Sequence, residues 1–150
     1  MKAITIWQPW ASWIAWGRKT IETRTHGRFE FLMGQRVGIH AGKKFDEEAI
    51  EMAAYYRPEI VEEHERQLAA GGYPAGVLLC TAYVYDVASV LECEGTEALC
   101  DTTCAYGLYL DKIKPFDPPV PMRGYQGAWE LPREVAWAIE HGLTLPGVPA

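Results

Sequence analysis

Long apolar runs are missing from this 150-residue chain, and none approaches the roughly 20 residues needed to span a bilayer. The N-terminus also lacks the charged-then-apolar pattern of a secretory signal, so a cytoplasmic protein with no membrane partner is expected. Cysteine is scarce. Cys80, Cys93, Cys100 and Cys104 are too few and too irregular for a disulfide framework in a chain without secretory features. Zinc would be the sharper reading of the last three, yet their spacings of seven and four match no common finger, and no histidine lies between them. Free thiols, no bound metal and no cofactor are therefore expected. Basic excess is lacking too: 14 lysines and arginines face 20 aspartates and glutamates, a net charge of −6. That balance argues against a broad phosphate-tracking surface. Internal repeats, low-complexity tracts and a regular βαβ alternation are also missing, which argues for an α+β arrangement.

What is present suits one globular domain over residues 1–150, with 49% apolar content to build a core. The net charge hides an asymmetry. Residues 1–45 carry eight basic residues (Lys2, Arg18, Lys19, Arg24, Arg28, Arg36, Lys43, Lys44) against Glu22 and Glu30, a net of +6. Residues 46–150 carry −12, much of it in 46–66, where a solvated acidic helix is the plain reading. An anionic ligand would be drawn to the N-terminal third.

Along the chain, Ala3 to Trp7 reads as a strand. Pro9 opens a helix that Gly17 closes, with Trp10, Trp13 and Ile14 forming one apolar face. Ile21 to Thr25 reads as a strand with Glu22 and Arg24 on one face, and Arg36 to Ala41 as another. Asp46 is a good N-cap, with Phe45 placed to staple onto Ile50, for a helix running to about Tyr56. A second helix spans Pro58 to Ala70 and stops at Gly71-Gly72. Gly76 to Leu91 is long enough for one bent strand or two, and Tyr106 to Leu110 and Gly127 to Leu131 are shorter strands. The prolines of 116–121 predict a stiff connector between them, Pro132 to His141 a closing helix, and the residues after Gly142 a loosely held tail. Trp10, Trp13, Trp16 and Trp137 are read as core, and Trp7 and Trp129 as ligand candidates. A small barrel with helices outside would cover the edges of so many short strands.

Four blocks carry a family resemblance: Ile6-Trp7-Gln8-Pro9-Trp10-Ala11, Gly17-Arg18-Lys19-Thr20-Ile21-Glu22-Thr23-Arg24, Ile39-His40-Ala41-Gly42-Lys43-Lys44, and residues Pro121 to Leu131. Together they resemble the ASCH family over nearly the whole chain. The resemblance implies a PUA-like fold, a small β-barrel with flanking helices, and a cleft associated with RNA, nucleotides or modified nucleosides.

Within those blocks, Glu22 and Arg24 side by side on a strand present acceptors and donors together. They admit two readings, an ion pair bridging two strands or a reader of a base edge, and the resemblance favours the second. Lys19 follows the first helix, where a capping role needs no ligand. In bacterial ASCH amidohydrolases acting on acetylcytidine the matching lysine is catalytic, so Lys19 is a candidate base, but the threonine expected three residues later is Glu22 here. A further catalytic glutamate would correspond to the region of Glu97 and Asp101. His40, Lys43 and Lys44 form either a basic phosphate site or a surface histidine beside solvated lysines. His40 with Lys19 would also be the acid–base pair of a weak ribonuclease. Trp7, Gln8, Arg123 and Gln126 complete the candidate cleft as wall and polar contacts. Two functions result, a nucleotide- or RNA-binding domain and, as the alternative, an amidohydrolase in which Lys19 and Glu22 are catalytic.

Overall fold

The computed structural model describes residues 1–89, 99 and 106–145. In order, these form β1 (Lys2–Gln8), α1 (Trp10–Ala15), β2 (Ile21–Arg24), a 3-10 turn (Glu30–Leu32), β3 (Arg36–Phe45), α2 (Ala49–Tyr56), α3 (Pro58–Ala69), β4 (Val77–Ser89), β5 (Tyr106–Pro121), β6 (Ala128–Glu130) and α4 (Arg133–Glu140). The six strands make one mixed sheet in the order β2-β5-β4-β3-β1-β6. Only β1 and β3 run parallel; the other pairs are antiparallel. Register shifts between Ile6 and Gln8, Ile39 and His40, Leu78 and Cys80, Thr81 and Tyr83, and Val84 and Asp86 mark bulges. Bulges bend strands and raise twist, and here they curl the sheet into a half-barrel.

Strand alternation sorts β1 into two sides. Ile4 and Ile6 join the main core with Val37, Ile39, Val84 and Leu110, while Ala3 packs on the other side against Trp129, Leu131 and Val135 beneath α4. A third cluster holds α2 and α3 against α1 through Trp13, Ala49, Ala53 and Ile60. Gly17, at φ 76°, ends α1, and Arg18 and Lys19 both bond back to the Trp13 carbonyl. A side chain at that φ would be strained, so the glycine sets the turn that carries Lys19 inward.

Several expectations are corrected. Residues 116–121 are not a connector: β5 continues through Pro121, paired with β4 from Tyr106 to Pro121. Prolines are tolerated because β2 covers β5 only at Tyr106–Tyr109, leaving the proline stretch an edge among the described residues. Helix α2 starts at Ala49 because Asp46 caps a preceding turn, its carboxylate accepting from the Glu48 N–H at 3.0 Å. The Phe45 ring faces His64 and Tyr73. Trp137 is 55% exposed and stacks on His141, because α4 buries Val135, Ala136 and Ala138 instead. Residues 143–145, the described part of the expected tail, are held, since the Leu143 N–H bonds to the Ala138 carbonyl and Leu145 is buried. Cys93, Cys100, Cys104, Glu97 and Asp101 lie outside the described residues. No helix among the described residues is long and apolar enough to cross a membrane.

Candidate functional site

A cleft of about 950 Å³ opens where the ends of β1 and β3 meet the β5–β6 connection. Side-chain alternation puts Thr5 and Trp7 on the cleft side of β1. Six sequence-predicted residues line it: Trp7, Arg24, His40, Lys43, Arg123 and Gln126. Thr5, Lys44, Met122, Gly124 and Tyr125 line it as well, and no acidic side chain does among the described residues. Lys43, Lys44 and Arg123 have no carboxylate partner among the described residues. Positive charge thus gathers in an acidic protein. Lys44 Nζ lies 5.0 Å from the centre of the Trp7 ring, and Arg123 Cζ 5.1 Å from that of Tyr125. Both rings face outward, Trp7 at 48% exposure and Tyr125 at 52%.

The floor is a hydrogen-bonded chain. His40 is 2% exposed, which corrects the surface-histidine reading. Its Nε2 lies 2.9 Å from the Met122 carbonyl and its Nδ1 3.2 Å from Thr5 Oγ1. A carbonyl only accepts, so Nε2 carries the proton and Nδ1 accepts from the Thr5 hydroxyl. Thr5 Oγ1 in turn accepts from Trp129 Nε1 at 3.1 Å. Every member is satisfied when the imidazole is neutral, and burial holds its pKa below the ordinary value against the pull of the Met122 carbonyl. Gly124 rides directly on this floor. A Cβ there would stand 2.4 Å from the His40 ring and 2.6 Å from Thr5 Oγ1, so only glycine allows so close an approach. Trp129, a ligand candidate by sequence, is buried behind the floor.

The other candidates sit apart. Gln8 points away from Trp7 and is structural, donating to Ser12 Oγ and the Pro74 carbonyl, both at 2.8 Å, and accepting from the Ser12 N–H. Lys19 is 2% exposed; its ammonium donates to the Ile21 carbonyl at 2.7 Å and lies 5.1 Å from the Trp10 ring. Its ammonium thus reaches a β2 carbonyl. Glu22 is 7% exposed, with Oε1 3.9 Å from Arg24 Nε. That distance is an ion pair but too long for a hydrogen bond. Glu22 Oε2 and Arg24 Nε have no hydrogen-bond partner among the described residues. Such atoms are costly to bury unmet. Arg24 joins this pair to the cleft, its guanidinium lying 5.2 Å from the Phe29 ring. No group of three or more His, Cys, Asp or Glu is arranged to hold a metal among the described residues, and the buried Cys80 thiol is pushed up to about 12 by burial.

A curled mixed sheet carrying a basic cleft beside a short first helix defines the class: a PUA-like α+β domain. The ASCH domain model matches residues 4–140, and the chain belongs to that family. The fold is similar to the crystal structure of ASCH from Zymomonas mobilis at 15% identity, covering 96% of each chain with a TM-score of 0.59. A tyrosine-to-phenylalanine mutant of that Zymomonas mobilis protein aligns at 15% identity over 93% of this chain and 96% of its own, with a TM-score of 0.61. A serine-to-alanine mutant of it aligns at 14% over 95% and 96%, with a TM-score of 0.58. No curated protein matches the chain.

Proposed function

We propose that the protein binds RNA or a nucleotide, including a modified nucleoside, in the cleft between β1, β3 and the β5–β6 connection. One observation carries the reading: Lys43, Lys44, Arg123 and Arg24 line one cleft with exposed Trp7 and with no carboxylate among the described lining residues, in a chain of net charge −6. Cations hold phosphate, the indole face takes a base, and the Arg24 guanidinium, which lines the cleft, supplies donors for a base edge. Membership of a family often linked to RNA binding supports the same reading. Titration of labelled single-stranded RNA tests it. Binding should weaken as salt rises, and Arg24→Ala and Lys43→Ala should each cost about 1–3 kcal/mol. Absence of salt-sensitive binding to RNA and to nucleotides would sink the proposal.

A second reading, hydrolysis of an acylated nucleoside, is favoured by the buried Glu22 Oε2, which has no hydrogen-bond partner among the described residues and belongs to a carboxylate able to take a proton from water. A threonine-type acyl intermediate is closed to it. Acetyl release from acetylcytidine, measured on the same preparation, separates the two: rapid turnover abolished by both Lys19→Ala and Glu22→Ala would replace the binding reading. A ribonuclease role draws less support, since both nitrogens of His40 are engaged by Thr5 and Met122.

A further inference from the structure

The cleft holds two exposed aromatic rings where a single nucleotide needs one. Trp7 stands at the end of β1, and Tyr125 rises from the β5–β6 connection. Tyr125 is backed by Trp129 with ring centres 5.5 Å apart, and Trp129 is itself anchored to Thr5, so this second ring is held in place. Each ring is covered by a cation, Lys44 on Trp7 and Arg123 on Tyr125. Cation–ring contacts at exposed positions are weak, and base stacking on an aromatic ring is stronger. An arriving base therefore displaces the cation, which is then free for the phosphate beside it. The cleft volume, about 950 Å³, stands at the upper end of small-ligand pockets.

We propose that the cleft takes a single-stranded oligonucleotide of at least two nucleotides, one base on Trp7 and the next on Tyr125, with Lys44 and Arg123 moving from the rings to the intervening phosphate. This rests on the nucleotide-binding reading above and names its substrate class.

The test compares affinities of uridine 5′-monophosphate and of oligouridylates of two, three and six nucleotides, with oligodeoxyuridylates alongside. The expected result is a step of about tenfold or more from one nucleotide to two, followed by a shallower rise. Trp7→Ala and Tyr125→Ala should each weaken dinucleotide binding roughly 5- to 100-fold. Trp7→Phe and Tyr125→Phe should keep most of it, and the double alanine variant should lose the step. Both rings are exposed, so unchanged thermal melting will confirm folding. A step seen with RNA alone or with both strands supports the proposal and identifies the source. Equal binding of mono- and oligonucleotides overturns it while leaving nucleotide binding intact, whereas no binding of any probe overturns the reading beneath it.

Discussion

Two buried histidines each sit at the end of the same kind of hydrogen-bond chain, in different parts of the molecule. Trp129 Nε1 bonds to the Thr5 hydroxyl and that hydroxyl to His40; Trp13 Nε1 bonds to the Tyr73 hydroxyl at 3.1 Å and that to His64 Nδ1 at 2.9 Å. The second chain ties α1 and α3 together through Tyr73, and Glu65 and Glu47 stand near its imidazole. The first lies in the cation-lined cleft, and its far nitrogen holds the Met122 carbonyl of the loop that lines one side of it. One local device thus serves packing in one place and the shape of a cleft in the other. The difference lies in what surrounds it.

The comparison breaks most sharply at Gly124, because nothing like it covers the His64 chain among the described residues. Gly124→Ala drives a methyl into His40 and Thr5 and should cost about 1–3 kcal/mol, or more if the loop cannot lift. Urea denaturation reads the loss, and binding of the RNA probe should fall with it. Next come the hydroxyls. Thr5→Val strands Trp129 Nε1 and His40 Nδ1, and Tyr73→Phe strands Trp13 Nε1 and His64 Nδ1, each for about 1–3 kcal/mol. Only Thr5→Val should also weaken probe binding; equal effects of the two on affinity would erase the distinction drawn above.

A smaller effect is expected from pH. Burial lowers the pKa of both histidines below 6.5 in the folded state, so the unfolded chain binds protons that the native one refuses. Stability is complete above 6.5 and declines as pH falls below it, until the folded imidazoles themselves protonate. Denaturation midpoints from pH 7.5 to 5 should show this slope, and His64→Gln and His40→Gln should each flatten part of it. Smallest of all is the Arg18–Glu63 bridge at 2.6 Å, which is partly exposed: Glu63→Gln should cost about 0–1 kcal/mol.

Much of the fold is legible in the sequence because its signals are local. Pro58 and Gly71-Gly72 bracket α3, the apolar run after Gly76 forms β4 as one long strand, and Gly17 stops α1. The proline-rich half of β5 is not legible, since whether proline tolerates a strand depends on which side of it lies unpaired. Trp137 departs from its expected place for a related reason: helical spacing separates the faces of α4 without saying which meets the core. In the candidate site, Trp7, Arg24, His40, Lys43, Arg123 and Gln126 are legible by residue type and come together in one cleft. Gln8 invites assignment with its neighbour Trp7, although alternation turns it to the other side, where Ser12 and Pro74 hold it. Thr5, Gly124 and Tyr125 escape sequence reasoning. Only the last carries a signal, an aromatic inside the terminal block.

By itself the sequence determined the order and type of most elements, the family, and the concentration of basic residues in the first 45 positions, since propensity, capping and charge act within a few residues. Only the tertiary structure decided that His40 is buried and neutral, that the Lys19 ammonium is buried and donates to a strand carbonyl, and that Gly124 rests on Thr5 and His40. Those outcomes depend on contacts between segments as far apart as Thr5 and Trp129, where solvent exclusion, not local preference, sets the free energy of each group.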